Sequence, residues 1–293
     1  MLLYLVRVIS IVLIALAYML FDLFNKRNVP SVFVYSTLAY GALLTILYLN
    51  ARTIAISASI SLVVLGVGYV VYRIGQLGAA DVFEFAAISL MLPIQGMPFI
   101  ASYAPQLSVP FIVSVAINAG IIALAIVPIY YIPKAISRLK KPITSLINKG
   151  NLLSASLLAI AYIVFIYFAT LVISLNYFAI IMLAIMLTSS FLVMLFSVPV
   201  TYSMVREVTV KQMEEGDIIA LNLMGERRVL ALKKKIKGFG RLVTSDVMRQ
   251  LKKAGVKDKM PVYKEAMPFA LPIFVAVIFT LLFGNMIFIA LGI

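Results

Sequence analysis

The sequence predicts an all-α polytopic membrane protein of about eight transmembrane helices, with a small α+β cytoplasmic domain before the last helix. Hydrophobic residues make up 63% of the 293 residues and charged residues only 12%, and the mean hydropathy is +1.10. Soluble domains are roughly 45–50% apolar and about 25% charged. Lipid is therefore the expected solvent for most of the chain, because runs of about 18 apolar residues are long enough to cross a bilayer.

Apolar runs separated by short polar breaks define the predicted spans. The run from 152 to 200 is too long for one membrane helix, so we divide it at Ser174-Leu175-Asn176. The first run carries Arg7 but no charged segment ahead of it, which favours a retained span over a cleaved signal peptide. The predicted spans are 2–21, 31–49, 53–72, 81–100, 110–132, 152–174, 177–200 and 268–291.

These spans divide the chain into five regions. They are a membrane core of spans one to five (1–132), a basic cytoplasmic loop (133–151), an additional transmembrane hairpin (152–200), a basic cytoplasmic α+β domain (201–266) and a C-terminal transmembrane helix (267–293). Within the cytoplasmic domain, alternation predicts strands at 206–210 and 227–232. A helix is predicted from Ser245 to Ala254, with Thr244 or Ser245 as its N-cap and Gly255 just past its end.

The basic residues of the short loops predict the orientation. Two of them, Arg7 and Arg52, fall on one side of the membrane, and eight fall on the other. The side with more Lys and Arg is cytoplasmic, so both termini of this multi-pass cell-membrane protein should lie outside. The eight are Lys26, Arg27, Arg73, Lys134, Arg138, Lys140, Lys141 and Lys149.

Composition restricts the chemistry that this chain can perform. It has no Cys and no His, which excludes disulfides, Cys/His zinc sites and catalytic pairs that need a His base. The two basic segments are typical of cytoplasmic loops and of contact with anionic lipid headgroups rather than of nucleic-acid binding. Carboxylates, amines and hydroxyls remain as reactive groups.

Three carboxylates stand out because they lie at the ends of apolar spans. Of the eleven acidic residues, only Asp22, Asp81 and Glu84 come before residue 207. A carboxylate within a span costs roughly 2.5–3.5 kcal/mol on insertion scales, which makes each a candidate functional group. The predicted orientation puts Asp22 and Asp81 at the same membrane depth on the cytoplasmic side. Two carboxylates brought together there would share one proton, as aspartic proteases require.

Simpler roles are also open for each of these residues. Asp22 can pair with Lys26 or Arg27 at the interface, and Asp81 can stabilise the N-terminus of span four through the helix dipole. Glu84, one turn later, can also stabilise the N-terminus of span four, or it can influence the protonation of Asp81.

Two segments around these aspartates resemble a known family. The sequence Gly75-Gln76-Leu77-Gly78-Ala79-Ala80-Asp81-Val82-Phe83 resembles the Gly-x-hydrophobic-Asp signature of GxGD intramembrane aspartic proteases, in particular the archaeal preflagellin and prepilin peptidases. The sequence Phe21-Asp22-Leu23-Phe24-Asn25-Lys26-Arg27-Asn28-Val29-Pro30 is similar to the first catalytic segment of that family. Pro110 to Asn118 and Pro268-Phe269 are similar to the fifth and last helices of its archaeal members.

The resemblance implies an aspartic endopeptidase that needs no metal or other cofactor. It implies Asp22 and Asp81 as the catalytic pair, with Gly75, Gly78, Ala80, Glu84 and Arg27 supporting catalysis or substrate binding. The substrates would be archaellin or pilin-like precursors, whose short basic leader (a class III signal peptide) is removed at the cytoplasmic membrane face. The additional hairpin at 152–200 departs from the usual six spans of this family, and Asp22 and Arg27 are one residue farther apart than usual.

Three other functions compete with this one. The presenilin and signal-peptide-peptidase branch shares the GxGD chemistry, and Phe269-Ala270-Leu271-Pro272 is similar to its Pro-Ala-Leu motif with the proline displaced. A proton-coupled transporter can use the three carboxylates as a relay. A structural subunit of a pilus export machine is the third alternative.

Overall fold

The computed structural model describes residues 2–25, 28–47, 50–94, 98–100, 109–139, 147–172, 176–256, 258–265 and 267–291. Helices dominate the described chain, and two short strands pair in one sheet. The helices are α1 (Leu2–Phe24), α2 (Ser31–Ile46), α3 (Ala51–Ile74), α4 (Ala79–Met91), α5 (Phe111–Leu139), α6 (Lys149–Val172), α7 (Tyr177–Leu195), α8 (Ser197–Met204), α9 (Glu226–Lys235), α10 (Ser245–Lys253), α11 (Ala270–Phe283) and α12 (Met286–Leu291). The strands are β1 (Arg206–Val208) and β2 (Met260–Val262).

The predicted helical fold is confirmed, and five of its helices are candidate membrane spans. Among the described residues, the helices α1, α3, α5, α6 and α7 are long and apolar enough to cross a bilayer. The helices α2 and α11 are apolar but have only 16 and 14 residues. Helix α4 has 13 residues, which at 1.5 Å per residue is shorter than the hydrocarbon layer.

Several helix ends differ from the predicted boundaries. Helix α4 ends at Met91 rather than near residue 100, because Pro93 disfavours helical backbone at the residue before it. Helix α5 continues through Pro128 and Pro133 to Leu139, so it takes up part of the predicted loop 133–151. The predicted last span is interrupted at Gly284, whose φ of 93° is left-handed. The division of 152–200 is confirmed, since α6 ends at Val172 and α7 begins at Tyr177.

The side chain of Asn118 compensates the interruption between α11 and α12. Its amide nitrogen donates to the carbonyl oxygen of Gly284 at 3.0 Å and to the hydroxyl of Thr280 at 2.8 Å. Its amide oxygen accepts from the backbone N–H of Met286 at 3.0 Å. Such pairing is required because backbone groups at membrane depth have no water to bond.

Helix α4 lies at the centre of the membrane core despite its length. It packs against α2 and α3, and most of its side chains are buried. Glycines allow this close contact, as small residues do in membrane helix pairs. A Cβ atom added at Gly68 of α3 would lie 2.4 Å from Cγ1 of Val82, and one added at Gly41 of α2 would lie 3.2 Å from the carbonyl oxygen of Ala87. The lack of a side chain at Gly41 and Gly68 thus lets α4 pack directly against α2 and α3.

Arg7 connects the ends of three helices inside this core. The side chain is only 2% exposed, and its guanidinium donates to the carbonyl oxygen of Met91 at 2.9 Å and to that of Leu44. Met91 is the last residue of α4, and Leu44 lies in the last turn of α2. A cation at helix C-termini is favourable because it satisfies terminal carbonyls and opposes the helix dipole.

Between α8 and α11, a two-stranded sheet and the helices α9 and α10 form a small α+β domain. Strands β1 and β2 pair antiparallel, with Arg206 opposite Val262 and Val208 opposite Met260. The predicted helix α10 is confirmed, and the hydroxyl of Thr244 caps it by accepting from the N–H of Val247 at 3.3 Å. Gly255 follows with a φ of 62°.

The second predicted strand, 227–232, is wrong. These residues belong to α9, which runs from Glu226 to Lys235. An acidic residue in its first turn and three lysines in its last turn complement the helix dipole. This stabilisation of the helix outweighs the preference for a strand that the short alternation of apolar residues suggests. The strand that pairs with β1 is β2, where Pro261 obscures the pattern.

Candidate active site

Asp22 lies in the last two turns of α1, on the side where the chain leaves the first span. Its carboxylate is half-buried, and its Oδ2 accepts a hydrogen bond from the backbone N–H of Ala270 at 3.3 Å. Ala270 is the first residue of α11, whose early N–H groups have no partner within the helix. The negative charge of Asp22 is therefore favourably placed against the N-terminus of the last membrane helix.

Asp81 lies in the first turn of α4. Its Oδ2 accepts from the backbone N–H of Gly78, the N-cap residue, at 3.1 Å. This contact agrees with the simpler role of Asp81 as an N-terminal charge on α4, and it also fixes the direction of the carboxylate. A Cβ atom at Gly78 would lie 3.0 Å from the same oxygen, so the glycine leaves room for the Asp81 side chain.

The tertiary structure places the two aspartates within electrostatic reach of each other although 59 positions separate them. The carboxyl groups of Asp22 and Asp81 lie close enough for a charge on one to act on the other. Helices α1 and α4 carry them to the same end of the core, where α1 ends and α4 begins. Two neighbouring carboxyl groups that share a proton can activate water with one member and protonate a leaving amine with the other.

Glu84 is the third carboxylate predicted from sequence, and it is completely buried. Its relative exposure is 0%, and neither carboxylate oxygen has a hydrogen-bond partner among the described residues. It interacts electrostatically with both Asp81 and Asp22. Burial of an ionised carboxylate in such surroundings is very costly.

The remaining predicted site residues surround Asp81 or lie outside the described residues. Ala80 is partly buried against the membrane core. Gly75 ends α3 with a φ of 76°, and its N–H and that of Gln76 bond to the carbonyls of Tyr72 and Val71. These N–H groups and that of Gly78 thus have partners within the chain. Arg27 lies outside the described residues.

A cavity that the sequence does not reveal opens beside Asp22. Its volume is about 830 Å³, within the usual range of ligand pockets. One wall consists of the end of α1, Tyr130 of α5 and the segment before α11, and the other wall belongs to the α+β domain. The lining residues are Asp22, Leu23, Tyr130, Arg206, Val208, Gln212, Glu214, Lys264, Glu265 and Pro268.

Glu265 joins the α+β domain to the membrane helices at this cavity. Its carboxylate pairs with Lys134 at 2.8 Å, with Arg138 and with Arg206. Partial burial would raise the pKa of Glu265, but hydrogen bonds from these three cations outweigh it and lower the pKa to about 2. The carboxylate is therefore ionised at neutral pH, and it ties α5 to β1 and to the segment that leads into α11.

A second group of ion pairs lies on the domain wall of the cavity. The ammonium of Lys264 contacts Oδ1 of Asp217 at 2.8 Å and Oε2 of Glu214 at 3.0 Å. Burial opposes the charge of Lys264, but hydrogen bonds to Asp217 and Glu214 outweigh burial and raise its pKa. The local sequence predicts a turn at Glu214 to Asp217, but nothing in it indicates that Glu214 lines the same cavity as Asp22.

Comparisons of this chain with protein-family models, with curated proteins and with solved structures gave no match. Within the described part of the chain, no group of three or more Asp, Glu, Cys or His side chains is arranged to hold a metal ion. The site contains two interacting aspartates at one end of the membrane core, and Asp22 of this pair lines the cavity. Such a pair is suited to acid and base catalysis on a substrate that reaches the cavity.

Proposed function

We propose that this chain is a membrane-embedded aspartic endopeptidase in which Asp22 and Asp81 activate water. The observation that carries this proposal is the electrostatic interaction of two carboxyl groups from helices distant in sequence, one of which, that of Asp22, lines a cavity large enough for a peptide segment. One carboxylate would take a proton from the attacking water, and the other would donate one to the leaving amine. The chemistry needs no metal.

The substrates would be pilin-like or archaellin precursors, as the resemblance of the Asp22 and Asp81 segments implies. The apolar stretch of such a precursor enters the membrane while its short basic leader stays in the cytoplasm. The scissile bond then lies at the inner interface, the depth expected for Asp22 and Asp81 in an eight-span chain with both termini outside. In that arrangement α2, α4 and α11 complete the set of membrane helices.

Processing of a precursor by the reconstituted protein tests this function. We expect wild-type protein in liposomes to shorten a pilin-like precursor, and Asp22→Asn and Asp81→Asn each to lower the rate by about 10³-fold or more. The matched control is Asp258→Asn, because Asp258 is exposed in the α+β domain and does not line the cavity. Mass spectrometry of the product checks the cleavage position. Normal processing by either Asp22→Asn or Asp81→Asn would refute the dyad.

Single cysteines test the proposed orientation, since the natural chain has no Cys. Cysteines at the exposed positions Asn28, Gln76 and Ser137 should react with an impermeant thiol reagent only from the cytoplasmic side. A cysteine at the exposed Ile100 should react only from outside. Labelling of the residue 28 or 76 probe from outside would contradict the topology and the cytoplasmic cleavage site together.

A proton-coupled transporter is the second candidate, and the burial of Glu84 favours it. An intramembrane carboxyl group without a partner is typical of proton pathways. A pH-sensitive dye inside proteoliposomes distinguishes the two functions. Substrate-dependent proton entry that Glu84→Gln abolishes, without any cleavage of precursors, would support transport.

A further inference from the structure

The α+β domain presents an acidic side chain to the cavity that contains Asp22. Glu214 lines this cavity, and its side chain is 80% exposed. The domain as a whole is basic, so a positively charged leader would be expected to avoid it. The cavity wall therefore carries an exposed acidic side chain, whereas the domain as a whole is basic.

Among the carboxylates on the domain wall of the cavity, Glu214 is the one most available to pair with a cation of a bound peptide. Glu265 is neutralised by three cations and is only 14% exposed, so it is committed to the junction with α5. Lys264 has two acidic partners, of which Asp217 is 11% exposed and closer than Glu214. Lys264 thus remains paired with Asp217 if Glu214 turns to another cation.

We propose that Glu214 selects a basic side chain in the leader of the substrate by exchanging its pair with Lys264 for a pair with that side chain. This inference rests on the proposed peptidase function and assigns a specificity residue to the same site. The leader would lie in the cavity between the α+β domain, the end of α1 and Tyr130 of α5, with its scissile bond toward Asp22. Glu214 binds substrate and takes no part in proton transfer.

Charge reversal on both partners tests this assignment. Cleavage rates would be measured over a range of precursor concentrations, with a basic leader and with a leader whose Lys and Arg are replaced by Glu. We expect Glu214→Gln to raise KM for the basic leader by about fivefold with kcat unchanged, as for loss of one solvent-accessible ion pair. We expect Glu214→Lys to raise this KM further and to cleave the acidic leader better than wild type does.

Glu226→Lys is the matched control, because Glu226 is an exposed glutamate of the same domain and does not line the cavity. It should leave KM for both leaders unchanged. If wild type cleaves precursors but Glu214→Gln has the wild-type KM, the assignment of Glu214 is overturned and the peptidase function stands. If Glu214→Lys is inactive with both leaders, the assignment depends on Glu214→Gln alone: a raised KM for the basic leader supports it, and a wild-type KM overturns it. Failure of wild type to cleave any precursor would instead overturn the peptidase function itself.

Discussion

The backbone N–H of Ala270 donates a hydrogen bond to Oδ2 of Asp22, with 3.3 Å between nitrogen and oxygen. This contact joins the first turn of α11 to the last turns of α1, across 248 positions of sequence. Five residues before Ala270, Glu265 holds the α+β domain against α5 through Lys134 and Arg138. The position of Asp22 is thereby linked to the junction between the membrane core and the α+β domain.

Replacing Gly78 by alanine should disturb Asp81 without disturbing the fold. The backbone of Gly78 has a φ of −72° and a ψ of 151°, which alanine adopts easily, but its Cβ would lie 3.0 Å from Oδ2 of Asp81. We expect a drop in cleavage rate of about tenfold at normal protein abundance, since small misplacements of catalytic groups are costly. The matched control is Gly225→Ala, another helix N-cap of similar backbone with open space around the added atom. Equal rates for the two variants would contradict this role of Gly78.

A side chain introduced at Gly68 should disturb the close packing of α3 on α4, and shortening Val82 should restore it. A Cβ atom at Gly68 would overlap Cγ1 of Val82 at 2.4 Å, so Gly68→Ala should push α4 away and lower both thermal stability and cleavage. Overpacking of this kind costs typically 1–3 kcal/mol. The double variant Gly68→Ala with Val82→Ala regains the space and should recover most of the loss. Gly66→Ala, two residues away on the same helix with nothing near the added atom, should behave as wild type. A double variant as unstable as Gly68→Ala would show that this contact is not the cause.

The Glu265 ion pairs should make stability depend on pH in the acidic range. The folded protein lowers the pKa of Glu265 from 4.5 to about 2, so its pairs contribute fully above about pH 4.5 and are lost as the pH falls toward 2. We expect Glu265→Gln to lower the melting temperature by about 5 °C at pH 7, with the difference shrinking below pH 4.5. Glu207→Gln, an exposed glutamate on β1, is the control. A difference between wild type and Glu265→Gln that persists unchanged at pH 2.5 would contradict this explanation.

Glu84 should influence the protonation of the two aspartates. It lies one helical turn from Asp81 and interacts electrostatically with it, so a proton on either group changes the field at the other. We expect Glu84→Gln to lower cleavage by about twofold to fivefold and to change its pH–rate profile, with abundance near that of wild type. A profile that matches wild type across the pH range would leave Glu84 with a packing role only.

The sequence alone predicted the features that depend on composition and on local pattern. The apolar content predicted helices long enough to cross a membrane. The break near Asn176 divided α6 from α7, because the Asn176 side chain caps α7 by accepting from the N–H of Ala179. The rarity of carboxylates in membrane spans singled out Asp22, Asp81 and Glu84, because burying a charge in lipid is costly whatever the fold. The caps of α10 were predicted for a similar reason, since a helix end bonds to its nearest residues.

The tertiary structure decided everything that depends on contacts between distant residues. The end of α4 is fixed by Pro93 and by the bonds of Arg7 to Met91 and Leu44, and the sequence shows only the first of these. The pairing of β1 with β2, the cations around Glu265 and the cavity beside Asp22 each join segments more than 50 residues apart. Local propensity contains no information on such pairs, because these contacts form only when the folded chain brings the two distant segments together.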